Sequence, residues 1–559
     1  MAILYNGVEL QDDKNILLDK WKLKSVTGDE KACKPGYCVF NNTSYALDML
    51  HRHVDRNSRM VFHTDVDVDG VGTTYIFKKT LDALGSNNHL LLINKEKEHG
   101  IKQKHADYFK HNKIDLMIIT DSSCNEIDII KQFECDVLVV DHHDLLHNDL
   151  YGLCNDGIHH YVIVNNTIAN NNQEQDNLWL KSKNVSAFNN LDNWVGDSDM
   201  SCGLVIYELL RLYCVCFANE KLMENLMLYQ WSGITLFTDA INTLNDRNQY
   251  YLDNTVFSQS TEHTLNTMMR CINKFKASLD KTYIQYSFAP IINKAIRAGK
   301  SAEALDIVIN SPDKICDLNT YKQLQQEAIE KATTVMVKDP LTGLDVKSKI
   351  VFRQGNIMLN ISNIGVGPNY AGVIASRLCG DNNKNAAVYT VLEDGTFKGS
   401  FRGRYNSVDY RKYFDDYSED IYAQGHPAAF GFILKAEQLV NIMNTLDNIE
   451  PLEKEKPFIT IGNMTPEEYG VYHVTDIDEF KRNGYLWKIA TGNSKVNSKD
   501  EICLRVRISD VKLVSTKGKT LTYDVLGMQC KAFEVLTCKY CDIYIELTNA
   551  IEMFIKPAL

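Results

Sequence analysis

Acidic and histidine side chains gather around one short apolar run near the start of the chain. The run begins at Met60 and leads into His63, Asp65, Asp67 and Asp69. In an extended segment every second side chain points the same way, so these four should share one face. Carboxylates this close repel one another unless cations neutralise them. This spacing alone also fits a solvated acidic loop, so the prediction of a cation site depends on the residues that follow two later runs.

Two later apolar runs end in residues of the same types. Asp121 follows one of them directly, and Asp141, His142 and His143 follow the other. The carboxyl ends of parallel strands meet at one edge of a sheet, where α/β proteins gather their ligands. A mixed set of Asp and His suits Mn²⁺ better than Ca²⁺, whose sites are all oxygen. An EF-hand is excluded because the twelfth position of the acidic loop is Ile76 instead of Glu.

The runs that carry these residues have the length of strands. Strands are predicted over Met60–His63, His89–Ile93, Asp115–Thr120, Asp136–Val140 and Tyr161–Val164. Such apolar runs suit a parallel sheet buried on both faces, and helical patterns such as Thr73–Leu84 complete βαβ units. Two apolar helices are predicted next, over Ser201–Phe217 and Leu222–Phe237. The predicted fold class is α/β, with a doubly wound parallel sheet.

At 559 residues the chain is too long for one core, and changes of pattern predict four domains. Residues 1–250 should form the first α/β domain with an N-terminal extension, and residues 251–338 a helical connector. A second α/β domain is predicted for residues 339–450. Residues 451–559 should form a small β-rich domain, for which an OB-like fold is one option. Its predicted strands are Leu486–Ile489, Ile502–Ile508, Thr520–Leu526 and Ile543–Leu547.

The composition favours a cytoplasmic protein without a membrane partner. No run approaches the roughly 18–20 apolar residues of a membrane span, and the N-terminus lacks the pattern of a secretory signal. The 15 cysteines show no regular spacing, which indicates reduced thiols rather than a disulfide framework. The net charge of −12 argues against coating of duplex DNA by bulk attraction, but it allows a local basic groove.

The order of the acidic motifs resembles that of the DHH phosphoesterases. The motifs that carry the likeness are His63-x-x-x-Asp67-x-Asp69-Gly, Asp121, Asp141-His-His and, after a glycine-containing helix, Asp239. The resemblance runs from Met60 to Leu446, and three aspartates in the first motif favour the RecJ branch of the family. It implies two divalent ions as cofactors, with Mn²⁺ as the first choice and Mg²⁺ as the alternative.

The resemblance also assigns roles to residues of the first domain. The implied ligands are His63, Asp67 and Asp121 for one ion and Asp69, Asp121, His142 and Asp239 for the other. Asp65 is expected to be a further ligand or to orient His63. Asp141 should support the ligands from behind, and His143 should face the scissile phosphate.

A second set of motifs resembles the DHH-associated domain of the same family. These motifs are the glycine-rich segment Asn363–Leu378, the strand Gly399-Ser400-Phe401-Arg402, and Gly425-His426 with Gln424 in place of the family's first glycine. The resemblance assigns substrate contacts to Arg377, Ser400, Arg402 and His426.

Taken together, the motifs imply an exonuclease that acts on single-stranded DNA in repair and recombination. RecJ-like chemistry would run 5′-to-3′ and release 5′-mononucleotides, with a helicase or a single-strand-binding protein as candidate partners. One alternative is a phosphodiesterase for oligoribonucleotides or cyclic dinucleotides, although such relatives are usually shorter. The other is an inactive replication scaffold, which would be marked by lost ligands, whereas every ligand position here is filled.

Overall fold

A computed structural model of the chain provides the structure. It describes residues 3–5, 8–9, 35–95, 98–143, 145, 153–155, 160–168, 173–183, 191–193, 200–239, 241, 246–256, 261–272, 283–338, 345–349, 355–405, 408–415, 422–446, 449, 459–461, 503–507, 511–517, 520–525, 528–532, 535–536, 540–547 and 551–557. Within these ranges, no helix combines the length and the apolar character needed to cross a membrane.

A six-stranded sheet organises the first domain. The strands in this part of the chain are β1 (Ile3–Tyr5), β2 (Val8–Glu9), β3 (Tyr37–Val39), β4 (Met60–Thr64), β5 (His89–Ile93), β6 (Leu116–Thr120), β7 (Asp136–Asp141), β8 (Leu153–Asn155), β9 (His160–Asn165) and β10 (Leu191–Asn193). The sheet has the order β5-β4-β6-β7-β9-β8, and only β8 runs antiparallel to its neighbour among these six strands. The predicted parallel sheet is therefore confirmed.

Burial on both faces holds for the central strands but not for the whole sheet. The side chains of β4 and β6 are all buried. Burial of β5 on both faces was a wrong prediction, because β5 lies at the edge of the sheet and Leu90 is 51% exposed. An apolar run alone does not distinguish an edge strand from a central one.

Helices cover the sheet and extend the first domain. They are α1 (Thr43–Asp55), α2 (Val68–Ala83), α3 (Gln103–His111), α4 (Ile127–Ile130), α5 (Gln173–Ser182), α6 (Cys202–Phe217), α7 (Leu222–Asn225), α8 (Tyr229–Thr238), α9 (Asp246–Val256) and α10 (His263–Ile272). The helix predicted from Thr73 begins earlier, because the Asp67 side chain caps it by accepting the Gly70 N–H at 3.0 Å. The single helix predicted over Leu222–Phe237 is wrong. It is divided into α7 and α8 at Met227, whose φ of 55° is left-handed.

The helices α2, α6 and α8 pack closely through small residues. A Cβ added to Gly203 of α6 would overlap the Oγ1 of Thr235 in α8, and one added to Gly72 of α2 would lie 2.8 Å from the Thr235 Cγ2. Real Cβ atoms do not approach other atoms so closely, so glycine is required at both positions. This packing fixes α2 and α6 against α8, the helix that ends at Asp239.

A helical connector leads to the second sheet. It contains a π-helical turn over Ile284–Phe288, α11 (Ala289–Arg297), α12 (Ser301–Asn310), a 3₁₀ helix over Pro312–Thr320, and α13 (Tyr321–Thr333). The next elements are β11 (Thr334–Lys338), β12 (Asp345–Lys349), β13 (Ile357–Asn360), α14 (Ala371–Asn382), β14 (Ala386–Val391), β15 (Phe397–Arg402), α15 (Arg411–Asp415), β16 (Tyr422–His426), β17 (Ala429–Leu434) and α16 (Ala436–Leu446).

The second α/β domain is built on a mixed five-stranded sheet. Its order is β13-β14-β15-β17-β16, with β13 parallel to β14 and the other pairs antiparallel. One apolar cluster joins α14 to the sheet, and a second, rich in phenylalanine, joins α16 to it.

The C-terminal region is β-rich, as predicted. Its strands are β18 (Ile459–Ile461), β19 (Cys503–Arg507), β20 (Val511–Lys517), β21 (Thr520–Val525), β22 (Met528–Ala532), β23 (Tyr540–Leu547) and β24 (Ile551–Pro557). The last six form one sheet in the order β19-β23-β24-β22-β21-β20. The strand predicted over Leu486–Ile489 lies outside the described residues. The OB-like fold and the four domain boundaries stay predictions.

Candidate metal centre and substrate face

The strands β4, β6 and β7 are neighbours in the sheet, and the residues at and beyond their ends form one cluster. Three groups of side chains have ligand atoms within 4.8 Å of one another: Asp65, Asp67 and Asp121; Asp69, His142 and Asp239; Asp121, His142 and His143. The groups are continuous, because Asp121 Oδ1 lies 3.3 Å from His142 Nε2. All the residues of these groups were predicted to belong to the site, and the structure brings them together.

Asp69 joins the sheet edge to the start of α6. Its Oδ2 accepts the N–H of Cys202 at 2.9 Å, and its Oδ1 accepts the N–H of Gly203 at 3.0 Å. A helix N-terminus favours an anion at this position. Burial and the nearby Asp239 nevertheless raise the pKa of Asp69 well above its ordinary value. The extended arrangement predicted for this segment is wrong at Asp69, because α2 already begins at Val68.

Asp121 occupies a left-handed turn directly after β6. Its φ is 63°, and its N–H donates to the Val140 carbonyl at 2.9 Å. Aspartate is one of the few residue types other than glycine that tolerate this conformation. Burial, followed by the charge of Asp69, raises the pKa of the Asp121 carboxyl well above its ordinary value. Such a buried group needs a cation to remain ionised.

His142 faces three carboxylates without forming a hydrogen bond through Nε2. This nitrogen lies 3.4 Å from Asp239 Oδ2 and 3.9 Å from Asp69 Oδ2. Within the described residues, His142 Nε2, Asp121 Oδ1 and Asp239 Oδ2 are buried atoms without a hydrogen-bond partner. Buried polar atoms are normally satisfied, so this arrangement fits donors that share a cation.

His63 is the second-last residue of the buried strand β4 and lies outside the three groups. It is fully buried, and neither ring nitrogen has a hydrogen-bond partner in the described part of the chain. Burial and the charge of His105 lower the pKa of His63 to about 3. The imidazole is therefore neutral, the form in which histidine binds metal ions.

Asp65 is bound to the segment that follows β5. Its Oδ2 lies 2.6 Å from His99 Nδ1, and its Oδ1 accepts the Gly100 N–H at 3.2 Å. Asp65 therefore orients His99 and the surrounding loop.

Asp141 organises the two histidines that follow it. It accepts the backbone N–H groups of His142 and Cys124 at 2.7 and 3.0 Å, and its Oδ1 lies 2.7 Å from His143 Nδ1. Although burial raises the pKa of Asp141, the charge of His143 brings it well below its ordinary range. For His143 the effect of burial is the opposite, because it lowers the pKa of an imidazole. The charge of Asp141 nevertheless raises the pKa of His143 to about 10. The contact with Asp141 thus favours the protonated form of His143.

Sequence analysis did not identify Asn165 as part of this region. Asn165 ends β9, and its Nδ2 donates to the His143 carbonyl at 2.9 Å. Its Oδ1 accepts the Thr167 N–H at 2.7 Å, which holds the amide in place. The signal that could have found it is its position directly after the apolar run Tyr161–Val164.

The residues predicted to bind substrate occupy β15, α14 and the end of β16. Arg402 donates from Nη1 to Ser400 Oγ at 2.9 Å and from Nε to Ser376 Oγ at 3.0 Å. Arg377 is half-exposed and binds Asp381 of its own helix at 3.0 Å. His426 ends β16, and its side chain lies outside the part of the structure that is described.

A second arginine, Arg297 of α11, was missed. Burial and the charge of Arg297 lower the pKa of Arg402 to about 10. Neither guanidinium forms an ion pair within the described residues; Arg297 donates instead to Gln325 Oε1 at 3.1 Å. Partly buried cations without an acidic partner favour a nearby anion. A lone arginine in an amphipathic helix gives no signal in the sequence.

No family model matches the chain. The putative SPbeta prophage-derived single-strand DNA-specific exonuclease YorK of Bacillus subtilis strain 168 is 24% identical over 446 residues, which cover 74% of this chain and 69% of that protein. The same values hold for the putative single-strand DNA-specific exonuclease yorK of Bacillus phage SPbeta.

Solved structures support the same fold. RecJ from Thermus thermophilus in complex with Mn²⁺ has a TM-score of 0.64 and 13% identity, covering 97% of this chain and 76% of that one. Its Mg²⁺ complex gives a TM-score of 0.62 and 14% identity, covering 97% and 74%. An exonuclease RecJ bound to manganese gives 0.51 and 15%, covering 74% and 96%. The predicted fold class is confirmed.

Proposed function

On the premise that this chain is RecJ-like and has the DHH fold, we propose that it is a metal-dependent exonuclease that degrades single-stranded DNA. The continuous group of carboxylates and histidines at the ends of β4, β6 and β7 carries the proposal. Its buried oxygen and nitrogen atoms without hydrogen-bond partners fit divalent metal ions.

We assign two ions to the cluster. Asp65, Asp67 and Asp121 would hold one of them, with His63 as a neutral donor from β4. Asp69, His142 and Asp239 would hold the other, and Asp121 would be shared. When bound, such ions neutralise the phosphoryl oxygens and lower the pKa of water so that it can attack phosphorus. Manganese fits the mixed oxygen and nitrogen donors, and magnesium is the alternative.

The side chains around the cluster would position the phosphodiester. His143, in the protonated form that Asp141 favours, would donate to an oxygen of the scissile phosphate. Arg402, with Ser400 beside it and Arg297 nearby, would bind a phosphate of the strand. Arg377 and His426 are further candidates in the same domain. The RecJ likeness supports a 5′-to-3′ direction with release of 5′-mononucleotides.

One assay with three substrates tests the proposal. Purified protein with Mn²⁺ would be offered single-stranded DNA, single-stranded RNA and cyclic dinucleotides. The DNA would carry a label at either the 5′ or the 3′ end. We expect mononucleotides from DNA, with the 5′ label released first. Preferential hydrolysis of RNA or of cyclic dinucleotides would favour the phosphodiesterase alternative. No hydrolysis of any substrate would favour the inactive scaffold.

A further inference from the structure

One ion pair joins the first domain to β15. Lys398 Nζ lies 3.3 Å from Glu98 Oε1, although the two residues are far apart in sequence. The other oxygen of the same carboxylate lies 3.6 Å from Lys104 Nζ. Although partial burial raises the pKa of Glu98, Lys398 brings it below its ordinary value. Glu98 is therefore an ionised group held between two lysines, and the proposed function assigns it no role.

Lys398 belongs to a polar row on β15. Alternate residues of a strand point to the same face, so Lys398, Ser400 and Arg402 form one row. The other face is apolar, because Phe401 is buried in the aromatic core and Phe397 stacks on Tyr389. Successive members of such a row are about 6.6–6.8 Å apart, so the row presents its polar groups at regular intervals along β15.

Glu98, the acidic member of the ion pair, lies in a loop that contacts the metal cluster. Glu98 directly precedes His99, which binds Asp65, and the next residue, Gly100, also donates to Asp65. Contacts thus run from the cluster through this loop to Lys398 and along β15 to Arg402. A strand bound at Arg402 and at the metal cluster would pass Lys398 between them.

We propose that Lys398 binds a backbone phosphate of single-stranded DNA and that, until the DNA binds, Lys398 is held in the ion pair with Glu98. This inference rests on the proposed function. The ion pair is partly exposed, and such pairs are weak, so a phosphate can displace the carboxylate. Lys104 remains beside Glu98 after the exchange, so the carboxylate keeps a cationic partner. Because the carboxylate and the phosphate compete for Lys398, loss of Lys398 should weaken DNA binding and loss of the Glu98 charge should strengthen it.

Binding without hydrolysis tests the exchange. Fluorescence anisotropy would follow a labelled single-stranded oligonucleotide with EDTA present, across a series of NaCl concentrations. Lys398→Gln should weaken binding several-fold and reduce the salt slope by about 0.7, the value for one lost phosphate contact on a single strand. Glu98→Gln should tighten binding, because Lys398 is then free for phosphate. The double variant should behave like Lys398→Gln, and Lys398→Arg should retain binding.

Lys412→Gln is the matched control. Lys412 lies in the same domain, is 78% exposed and pairs with Asp409 at 3.6 Å, so binding should stay unchanged. Thermal unfolding would verify that each variant is folded. If Glu98→Gln and Lys398→Gln both weaken binding, the pair is a structural link between the domains and the inference is wrong. The inference also fails if the unaltered chain does not bind single strands.

Hydrolysis by the unaltered chain separates this inference from the proposed function. If the chain with Mn²⁺ does not cleave single-stranded DNA, the proposed function is wrong, whatever the variants bind. If it cleaves the DNA while Lys398→Gln and Glu98→Gln both weaken binding, only the role of Lys398 is wrong.

Discussion

Asp121 links the carboxylates of the metal cluster to its histidines. It belongs to two of the three ligand groups, and its charge interacts with Asp69, Asp67, Asp65 and Asp239. Asp121→Asn keeps the size of the side chain and removes its negative charge. We expect hydrolysis of single-stranded DNA to be abolished, because neither ion would keep its full set of ligands. Product release in Mn²⁺ would measure the loss.

Metal binding itself provides a second measurement for this variant. Mn²⁺ should raise the melting temperature of the unaltered chain and raise that of Asp121→Asn much less, since only a bound ligand stabilises the native state. Asp107→Asn is the control, because Asp107 is an exposed residue of α3 that binds Gln103. Near-normal turnover by Asp121→Asn would contradict the assignment of the site.

Substitution of Asn165 tests whether catalysis depends on the position of His143. Asn165→Ala removes the hydrogen bond to the His143 carbonyl, so the histidine should be held less firmly at the phosphate. Loss of comparable supporting contacts in metal sites costs about 10–100-fold in activity or affinity. We expect kcat to fall by about this factor while manganese remains bound. A variant that loses the metal but keeps the kcat of its loaded fraction would show that Asn165 supports the ligands instead.

The sequence predicted which residues gather in the cluster better than it predicted their surroundings. Asp121 and His142 were recognisable because Asp or His follows an apolar strand at three strand ends of one sheet. The contact of Asp65 with His99 depends on how one loop packs, and the approach of Arg297 to Arg402 depends on tertiary folding. Such contacts leave no pattern along the chain.

At the scale of elements, the glycines at the crossing of α2, α6 and α8 connect stability with chemistry. Gly203 leaves room for Thr235 and donates its N–H to Asp69. Gly203→Ala should lower the free energy of unfolding by about 1–3 kcal/mol, because overpacking moves the helices apart. Displacement of the N–H should also weaken manganese binding. Denaturant unfolding and metal titration would measure the two effects.

Gly380→Ala is the control for this substitution. Gly380 is an exposed residue of α14, and a Cβ there would meet no atom within 4 Å. Alanine should therefore stabilise the helix, by up to about 1 kcal/mol. If Gly203→Ala had the same small effect, the close packing of α6 on Thr235 would not be required.

Helices and strands were predicted correctly where the pattern of apolar residues allowed one type of element. Runs such as His89–Ile93 and Thr520–Leu526 gave strands because continuous apolar or β-branched stretches between polar residues allow few alternatives. The division at Met227 was missed because methionine is a good helix former and rarely adopts a left-handed conformation. The pairing of β1 with β18 joins segments too distant for any local pattern.

At the scale of the molecule, the proposed substrate path involves both α/β domains. Lys398 binds Glu98, and Ser301 of the connector donates to the Lys95 carbonyl at 3.2 Å, so the second domain and the connector both contact the first. A path between joined domains suits one flexible strand better than a stiff duplex roughly twice as wide. We expect digestion to stop where a single strand enters a blunt duplex. Gel analysis of a labelled strand with a duplex end would locate the stop.

The same path predicts how salt and sequence act on digestion. The chain has a net charge of −12, so attraction for DNA must come from local groups such as Arg402, Arg297 and Lys398. Rates at low substrate concentration should fall as salt rises and should depend little on base sequence, because backbone contacts do not distinguish bases. Efficient digestion of blunt duplex DNA would contradict the path but leave the metal chemistry unaffected.

The order of the site residues along the chain has a consequence for synthesis on the ribosome. The last member of the metal cluster is Asp239, whereas Arg402 comes much later in the chain. At roughly 5–20 residues per second, the nascent chain carries every residue of the metal centre about 10–30 s before Arg402 is made. If the cluster binds ions as proposed, they could load onto the growing polypeptide before Arg402 is available to bind nucleic acid. Translation itself would then separate metal acquisition from the onset of degradation.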